Sequence, residues 1–341
     1  MRTARPEFRT ADMTCGPGTL HRLVLHADDF GMNDAVNRGI IRGFSQGLLT
    51  STSVLSNAPG CSAALALWKE LAARSAADDL PSLEARRRLA DSLSPFDLGI
   101  HLNLTQGRPL TGDSYPPPLL DRNGRFPGVF GLAARLLVSG ARYSREIEAE
   151  LCTQIEVLVE CGISPTHLNS HQYIDIFPAV AAIIPGLLRR YAIPVVRVPW
   201  ETRLTQTTLV QRFSPASWCL AQIKRLFAFR YLIAMRRSGV PHPVAFFGTS
   251  HAGRIDLDLM HTFVAAAGQG ITEIGMHPGT AGLDARAENA ADGWSDPLAS
   301  ARASELALLT SPELARLLED RQIRLARLSD LAPLRAACAA A

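Results

Sequence analysis

Leu23-Val24-Leu25-His26-Ala27-Asp28-Asp29-Phe30-Gly31 passes from an apolar run into two adjacent carboxylates, an aromatic ring and a glycine. Asn33 or Asp34 then offers a cap for a helix whose Val36, Ile40, Ile41 and Phe44 share one face and which stops at Gly47. Residues 49–54, rich in Leu, Thr, Ser and Val, read as a second strand, so one βαβ unit is already complete. Ligands bind at the carboxyl ends of parallel strands in α/β proteins, which is where Asp28 and Asp29 stand. Like charges side by side push their proton affinities apart unless a cation intervenes; one of the pair is then suited to hold a metal and the other to act as a base. For an isolated Asp-Asp pair the commoner reading is a strand end whose carboxylates cap the next helix.

Further along, residues 59–73 predict a helix, and the polar, Ala/Arg-rich stretch 75–94 resembles a solvated insertion. Residues 96–104 alternate as a third strand containing His101. The Pro- and Gly-rich stretch 105–128 is long enough to be a lid or binding loop. A helix over 144–161, a strand over 166–170, a helix over 177–191 and a strand over 195–198 follow. Residues 217–237 form an apolar stretch interrupted by Lys224, Arg225, Arg230, Arg236 and Arg237; these charges argue against a membrane span and for an amphipathic helix packed on the domain, with membrane-surface contact the minor alternative. Strands over 244–248 and 271–276 flank a helix over 256–267, and a helical segment ends in a short strand within 323–328. This alternation predicts an α/β fold, a parallel sheet covered by helices, and leaves open whether the sheet closes.

A chain of 341 residues, 47% hydrophobic and 20% charged, buries a large core and fits one α/β domain over 21–335 behind a loose tail at 1–20, with Met13 an alternative start. A net charge of +3 demands neither nucleic acid nor membrane as partner. Cys15, Cys61, Cys152, Cys161, Cys219 and Cys338 show no metal-ligand spacing and read as reduced thiols, hence a cytoplasmic protein.

His101, His171 and His277 each sit at a predicted strand end. With parallel strands they converge with Asp28 and Asp29 on one face. Two imidazoles and a carboxylate around a divalent ion leave positions for water and substrate, and the third histidine stays free for proton transfer. His21, His242 and His261 are expected at the surface, and His26 and His167 either in packing or in support of the site's ligands. His251, after another predicted strand, is a candidate for lining a substrate groove. No nucleophile elbow, P-loop or HExxH is present in the sequence.

These blocks resemble the YdjC-like carbohydrate deacetylases, which include the chitooligosaccharide deacetylases. The resemblance rests on His26-Ala27-Asp28-Asp29-Phe30-Gly31 with Asn37 and Gly39, Gly47-Leu48-Leu49-Thr50-Ser51-Thr52-Ser53, and Gly99-Ile100-His101-Leu102-Asn103-Leu104-Thr105 with Gly107, Pro109 and Leu110. It continues through Pro165-Thr166-His167-Leu168-Asn169-Ser170-His171 and Met276-His277-Pro278-Gly279, in the family's order. It implies a distorted (β/α) barrel and divalent-metal-dependent hydrolysis of an N-acetyl group on an amino sugar. Carried over, Asp29, His101 and His171 match metal ligands, Asp28 the base and His277 the second catalytic group; Asn103, Asn169 and His251 are the substrate-binding candidates. Ligand type favours zinc, and magnesium is the other candidate. The chain departs from the family where Asn169 replaces an aspartate and where Gln172-Tyr173-Ile174-Asp175 replaces a histidine-rich run. Two alternatives stay open: a glycoside hydrolase using Glu273 or Asp175 as second acid, and a non-catalytic sugar-binding relative.

Overall fold

The computed structural model describes residues 21–90, 96–201, 215–281 and 293–332. The expected tail at 1–20 and residues 202–214, part of the segment after the fifth strand, lie outside them. Among the described residues, eight strands form one parallel sheet: β1 His21–Phe30, β2 Ser51–Val54, β3 Asp97–Leu102, β4 His167–Ser170, β5 Val195–Val196, β6 Ala245–Phe247, β7 Gly270–Met276 and β8 Arg324–Leu325. The order is β5-β4-β3-β2-β1-β7-β6, and β8 pairs with β1. Every pairing is parallel. Helices between the strands cover the outside, and the sheet curls into a half-barrel, the distorted (β/α) barrel that the sequence resemblance implied.

β1 is the axis of this arrangement. It pairs along its length with β7, from His21↔Gly270 to Ala27↔Met276, and on its other side with β8 below and β2 above. Val24 and Leu25 are fully buried, as expected of a parallel strand covered on both faces. Near the two edges the curl brings β5 close to the chain entering β6, where Val196 N–H donates to the Pro241 carbonyl at 3.1 Å.

Local chemistry explains most element boundaries. The helix Asp34–Ser45 begins where the Asn33 side chain accepts from Val36 N–H, a capping bond. The helix Leu257–Ala266 is capped in the same way by Asp256. The single helix expected over 177–191 is two short ones, Pro178–Ala181 and Ile184–Arg190, the second with a proline in its first turn.

The stretch 75–94 departs from its reading as a solvated insertion. Residues 91–95 lie outside the described residues, but the helix Leu83–Leu89 buries Leu83, Arg86 and Leu89. Arg86 donates to the backbone carbonyls of Phe44, Gly47 and Leu49, capping the end of the first helix and the loop beyond it. Its guanidinium stacks 4.5 Å from the Phe96 ring, and burial drops its pKa to about 9. Composition concealed this, because an arginine whose donors meet backbone carbonyls and the Ser82 hydroxyl looks in sequence like any solvated one.

The long loop over 105–128 is also better packed than a mobile lid. Tyr115, Leu119 and Phe126 are buried. The Glu150 carboxylate accepts from the backbone N–H of Leu110 and Thr111 and from the Thr111 hydroxyl, pinning the loop to the helix Ser144–Glu160.

Candidate metal centre

The ladder between β1 and β2 shifts register between Ala27 and Phe30, and Asp29 adopts φ +70. A left-handed non-glycine residue is strained, and such strain is retained where surrounding contacts over-determine it. Here the contacts are charged. Asp29 Oδ2 accepts from Arg302 at 2.7 Å, and Asp29 Oδ1 from His171 Nδ1 at 2.9 Å. His101 Nε2 stands 3.6 Å from the same Oδ1. Asp29, His101 and His171 thus offer three buried donor atoms within 4.8 Å of one another, brought from β1, β3 and the end of β4.

The neighbours of these side chains fit a cation. His101 Nδ1 lies 2.7 Å from Asn169 Oδ1, so the ring donates there and turns Nε2 toward Asp29, the arrangement that orients a ligating imidazole. Ser53 Oγ lies 3.1 Å from the same nitrogen. The Asn169 amide donates to Asp28 Oδ1 at 3.1 Å, tying the second carboxylate to the ligand set.

Asp28 has its own counter-ion. Arg197, just beyond β5, crosses the barrel interior and donates to Asp28 Oδ2 at 2.7 Å. Its Nε and Nη2 donate to Glu273 Oε1 on β7 at 2.8 and 2.6 Å. Burial raises the proton affinity of Asp28, but Arg197, His101 and His26 outweigh it and hold the carboxyl well below its usual range. Asp29 is likewise raised by burial and driven well down by Arg302 and His171. Both are carboxylates at neutral pH, each with its own arginine.

His277 follows β7. Its Nε2 is 3.9 Å from Asp28 Oδ2, its backbone N–H donates to Glu305 at 2.6 Å, and Arg302 donates to its carbonyl. Its Nδ1 is buried without a hydrogen-bond partner among the described residues. Asp28, Asp29, His101, His171 and His277, from four separate strand ends, therefore meet in one place.

The remaining sequence candidates divide. Asn169 sits within the cluster. Asn103 is fully buried one strand end away, but its amide is consumed by its own loop: Oδ1 accepts from Thr105 and Gln106 N–H, and Nδ2 donates to the Gln106 carbonyl and to Asn57. It acts on the site through Gln106, whose amide lies 3.2 Å from His171 Nε2 and accepts from Ser295 N–H. His251 is buried against the Phe263 ring, with burial dropping its pKa to about 4, and no hydrogen bond among the described residues links it to the cluster. His26 and His167 pack inside the barrel as expected, their Nε2 atoms 2.8 Å apart, with burial keeping both rings neutral. His21 and His261 are exposed, whereas His242 is half-buried. Of the alternative acids, Glu273 grips the same guanidinium as Asp28, and Asp175 accepts from Ser170 Oγ at 2.5 Å. Arg197, Arg302, Gln106 and Glu305 were not singled out from the sequence.

A curled parallel sheet that gathers acids and imidazoles at its carboxyl edge defines a (β/α)-barrel protein with a polar centre, in which Asp29, His101 and His171 could hold a cation. Residues 22–320 match the family model described as YdjC-like protein, and the chain belongs to that family. Relatives named carbohydrate deacetylase include one from Geobacillus stearothermophilus, 34% identical over 172 residues, half of this chain and 58% of that protein. Another, from Danio rerio, is 29% identical over 234 residues, 68% of this chain and 66% of that protein. The chain thus spans about three-fifths of the length of the bacterial relatives it matches. In fold, it is similar to a crystal structure from Enterococcus faecalis V583, provisionally described as a cellobiose-phosphate cleavage protein, at a TM-score of 0.64 and 23% identity over 92% of this chain and 99% of that one.

Proposed function

We propose that this chain is a metal-dependent N-deacetylase of an acetylated amino sugar or glycan, formed by one domain over 21–335. The observation that carries the reading is the Asp29-His101-His171 cluster lying beside Asp28 and His277, in a family whose curated relatives are named carbohydrate deacetylase. Asp29 Oδ1, His101 Nε2 and His171 would hold a divalent ion. Two nitrogens and one oxygen favour zinc, with magnesium the harder alternative. When bound, such an ion supplies a Lewis acid and lowers the pKa of water from about 15.7 to roughly 7.

The protein's own groups do the rest. Asp28, ionised and fixed by Arg197 and Asn169, accepts the proton of the attacking water as its oxygen bonds to the amide carbonyl carbon. His277, with Nε2 3.9 Å from Asp28 Oδ2, delivers a proton to the departing nitrogen as the C–N bond breaks, so that acetate and a free amine leave. Arg302 holds Asp29 in its strained conformation, and Gln106 steadies His171. Asn169 and His251 remain the candidates for contact with the sugar.

Purified protein supplied with zinc or magnesium is expected to release acetate from N-acetylated amino sugars. Asp28→Asn should keep the metal and lose about 10²- to 10⁴-fold in rate, the usual worth of general-base catalysis. His101→Ala and His171→Ala should lose the metal. Acetate release at parental rate by Asp28→Asn would overturn the assignment of the base, and a metal-loaded protein inactive on every acetylated sugar tried would overturn the deacetylase reading.

A further inference from the structure

The helix Pro215–Arg237 is unexplained by the chemistry above. It contains Lys224, Arg225, Arg230, Arg236 and Arg237 and no aspartate or glutamate. Its inner face is conventional: Ala228, Tyr231, Leu232 and Met235 are buried. Lys224 lies 5.7 Å from the Tyr173 ring centre and Arg225 4.9 Å from that of Trp200. The outer face is not conventional. Leu226 is 58% exposed and Phe229 44%, and Arg230, Arg236 and Arg237 are exposed with them, while Ile233 is half-buried between. Steps of three and four residues place all six on one stripe. Among the described residues, no carboxylate pairs with Arg230, Arg236 or Arg237.

Two large apolar side chains in water and three cations without counter-charge ask for an occupant that is apolar and anionic together. A second copy of this chain, seated about a twofold axis, would bring the same cations face to face. Nucleic acid would satisfy the arginines and leave Leu226 and Phe229 in water. The headgroup boundary of an anionic bilayer satisfies both, with the rings and aliphatic carbons entering the acyl edge and the guanidiniums meeting lipid phosphates. We propose that this stripe docks the protein peripherally on an anionic lipid surface. No helix among the described residues is long and apolar enough to cross a membrane. The helix packs on the turn His171–Ile176, so it joins the docking stripe to the segment that carries His171. Docking stands apart from the reaction proposed above, because none of the stripe residues belongs to the centre.

The full chain is tested by flotation with phosphatidylcholine vesicles, with and without phosphatidylglycerol, at low and high salt. Binding is expected only with phosphatidylglycerol and should weaken with salt. R230Q/R236Q/R237Q should lower partitioning on the order of 100-fold. L226Q should also lower it, while both variants keep the parental melting temperature and oligomeric state. Absence of flotation with anionic vesicles overturns the proposal, as does flotation unaltered in the triple variant. Binding to duplex DNA as tight as to vesicles and indifferent to L226Q would also overturn it, by showing a general polyanion site. A concentration-dependent dimer abolished by L226Q, without vesicle binding, would assign the stripe to a second copy instead.

Discussion

Replacing Arg197 by methionine keeps most of the side-chain stem and removes the one cation that Asp28 and Glu273 share. The guanidinium is 1% exposed, with three donor contacts of 2.6–2.8 Å to the two carboxylates. Removing one member of a buried ion pair costs about 3–5 kcal/mol, because the partner charge is left buried alone. Two carboxylates are abandoned here, but the penalty does not double. Burial already raises the proton affinity of Glu273, and without Arg197 it escapes by taking up a proton. A loss near 3 kcal/mol is therefore expected, or about 4–5 °C in melting temperature for a domain of this size. The pH dependence carries a sign. In the parent, the folded-state pKa of Asp28 is depressed, so its contribution is present above the unperturbed 3.8 and lost as pH falls through the lower folded value. Arg197→Met abolishes that contribution, so the gap between parent and variant should be widest at neutral pH and narrow in acid. Calorimetry across pH measures the gap, and acetate release across pH should show the acid limb moving upward. A variant that melts with the parent at neutral pH would refute the reasoning, as would a gap that widens in acid.

Asn169→Ala removes the acceptor of His101 Nδ1–H and should weaken metal binding about 10- to 100-fold, read by chelator competition; unchanged affinity would show that Asn169 does not orient the ligand. Gly39→Ala places a Cβ 2.3 Å from the backbone of Gly279, two residues beyond His277. Strain of about 1–3 kcal/mol and a loss near 10²-fold in turnover are expected, with metal content intact, and full activity would mean the backbone yields without moving His277. Burial raises Asp175 to about 6, so its ionised form is penalised, and the stability linked to its proton is present below 3.8 and lost as pH rises through 6. Asp175→Asn should therefore stabilise at pH 7.5 by up to about 3 kcal/mol, an advantage that shrinks toward pH 4. A pH-independent difference between the two melting curves would remove Asp175 as its source.

Much of the architecture was legible because each signal was local. The run Leu23–Ala27 is apolar because β1 is covered on both faces, and Asn33 announces the first helix because its side chain satisfies an N–H that the helix leaves open. Strand ends carrying His101, His171 and His277 were recognisable one at a time, and parallel pairing then placed them on one edge. The setting of Asn103 was not legible for a related reason. A buried asparagine at a strand end reads as a ligand contact, and only the loop's backbone shows that each of its polar atoms is already used inside the protein.

The arginines escaped notice, although Arg197 left a trace in the sequence. Val195-Val196-Arg197-Val198 interrupts an apolar run with a cation, and its guanidinium reaches Asp28. A buried guanidinium must be paired, so buried carboxylates on other strands, Asp28 on β1 and Glu273 on β7, were the places to look. Arg302 left no such trace, because it lies near the start of a helix far along the chain, and only the fold brings it to Asp29. The two arginines turn an Asp-Asp pair into a division of labour. Adjacent carboxylates in one buried site would otherwise share a proton, since both could not stay ionised unpaired. Arg197 on Asp28 and Arg302 on Asp29 keep both anionic, as the proposed base and the proposed ligand would each require. The sharp turn at Asp29 is what allows it, by sending consecutive side chains toward opposite partners. Asp29→Gly should relieve the backbone strain but lose the metal. Asp29→Asn should keep the turn yet weaken the Arg302 contact, and a parental metal affinity in Asp29→Asn would show that the carboxylate charge is not what the centre uses.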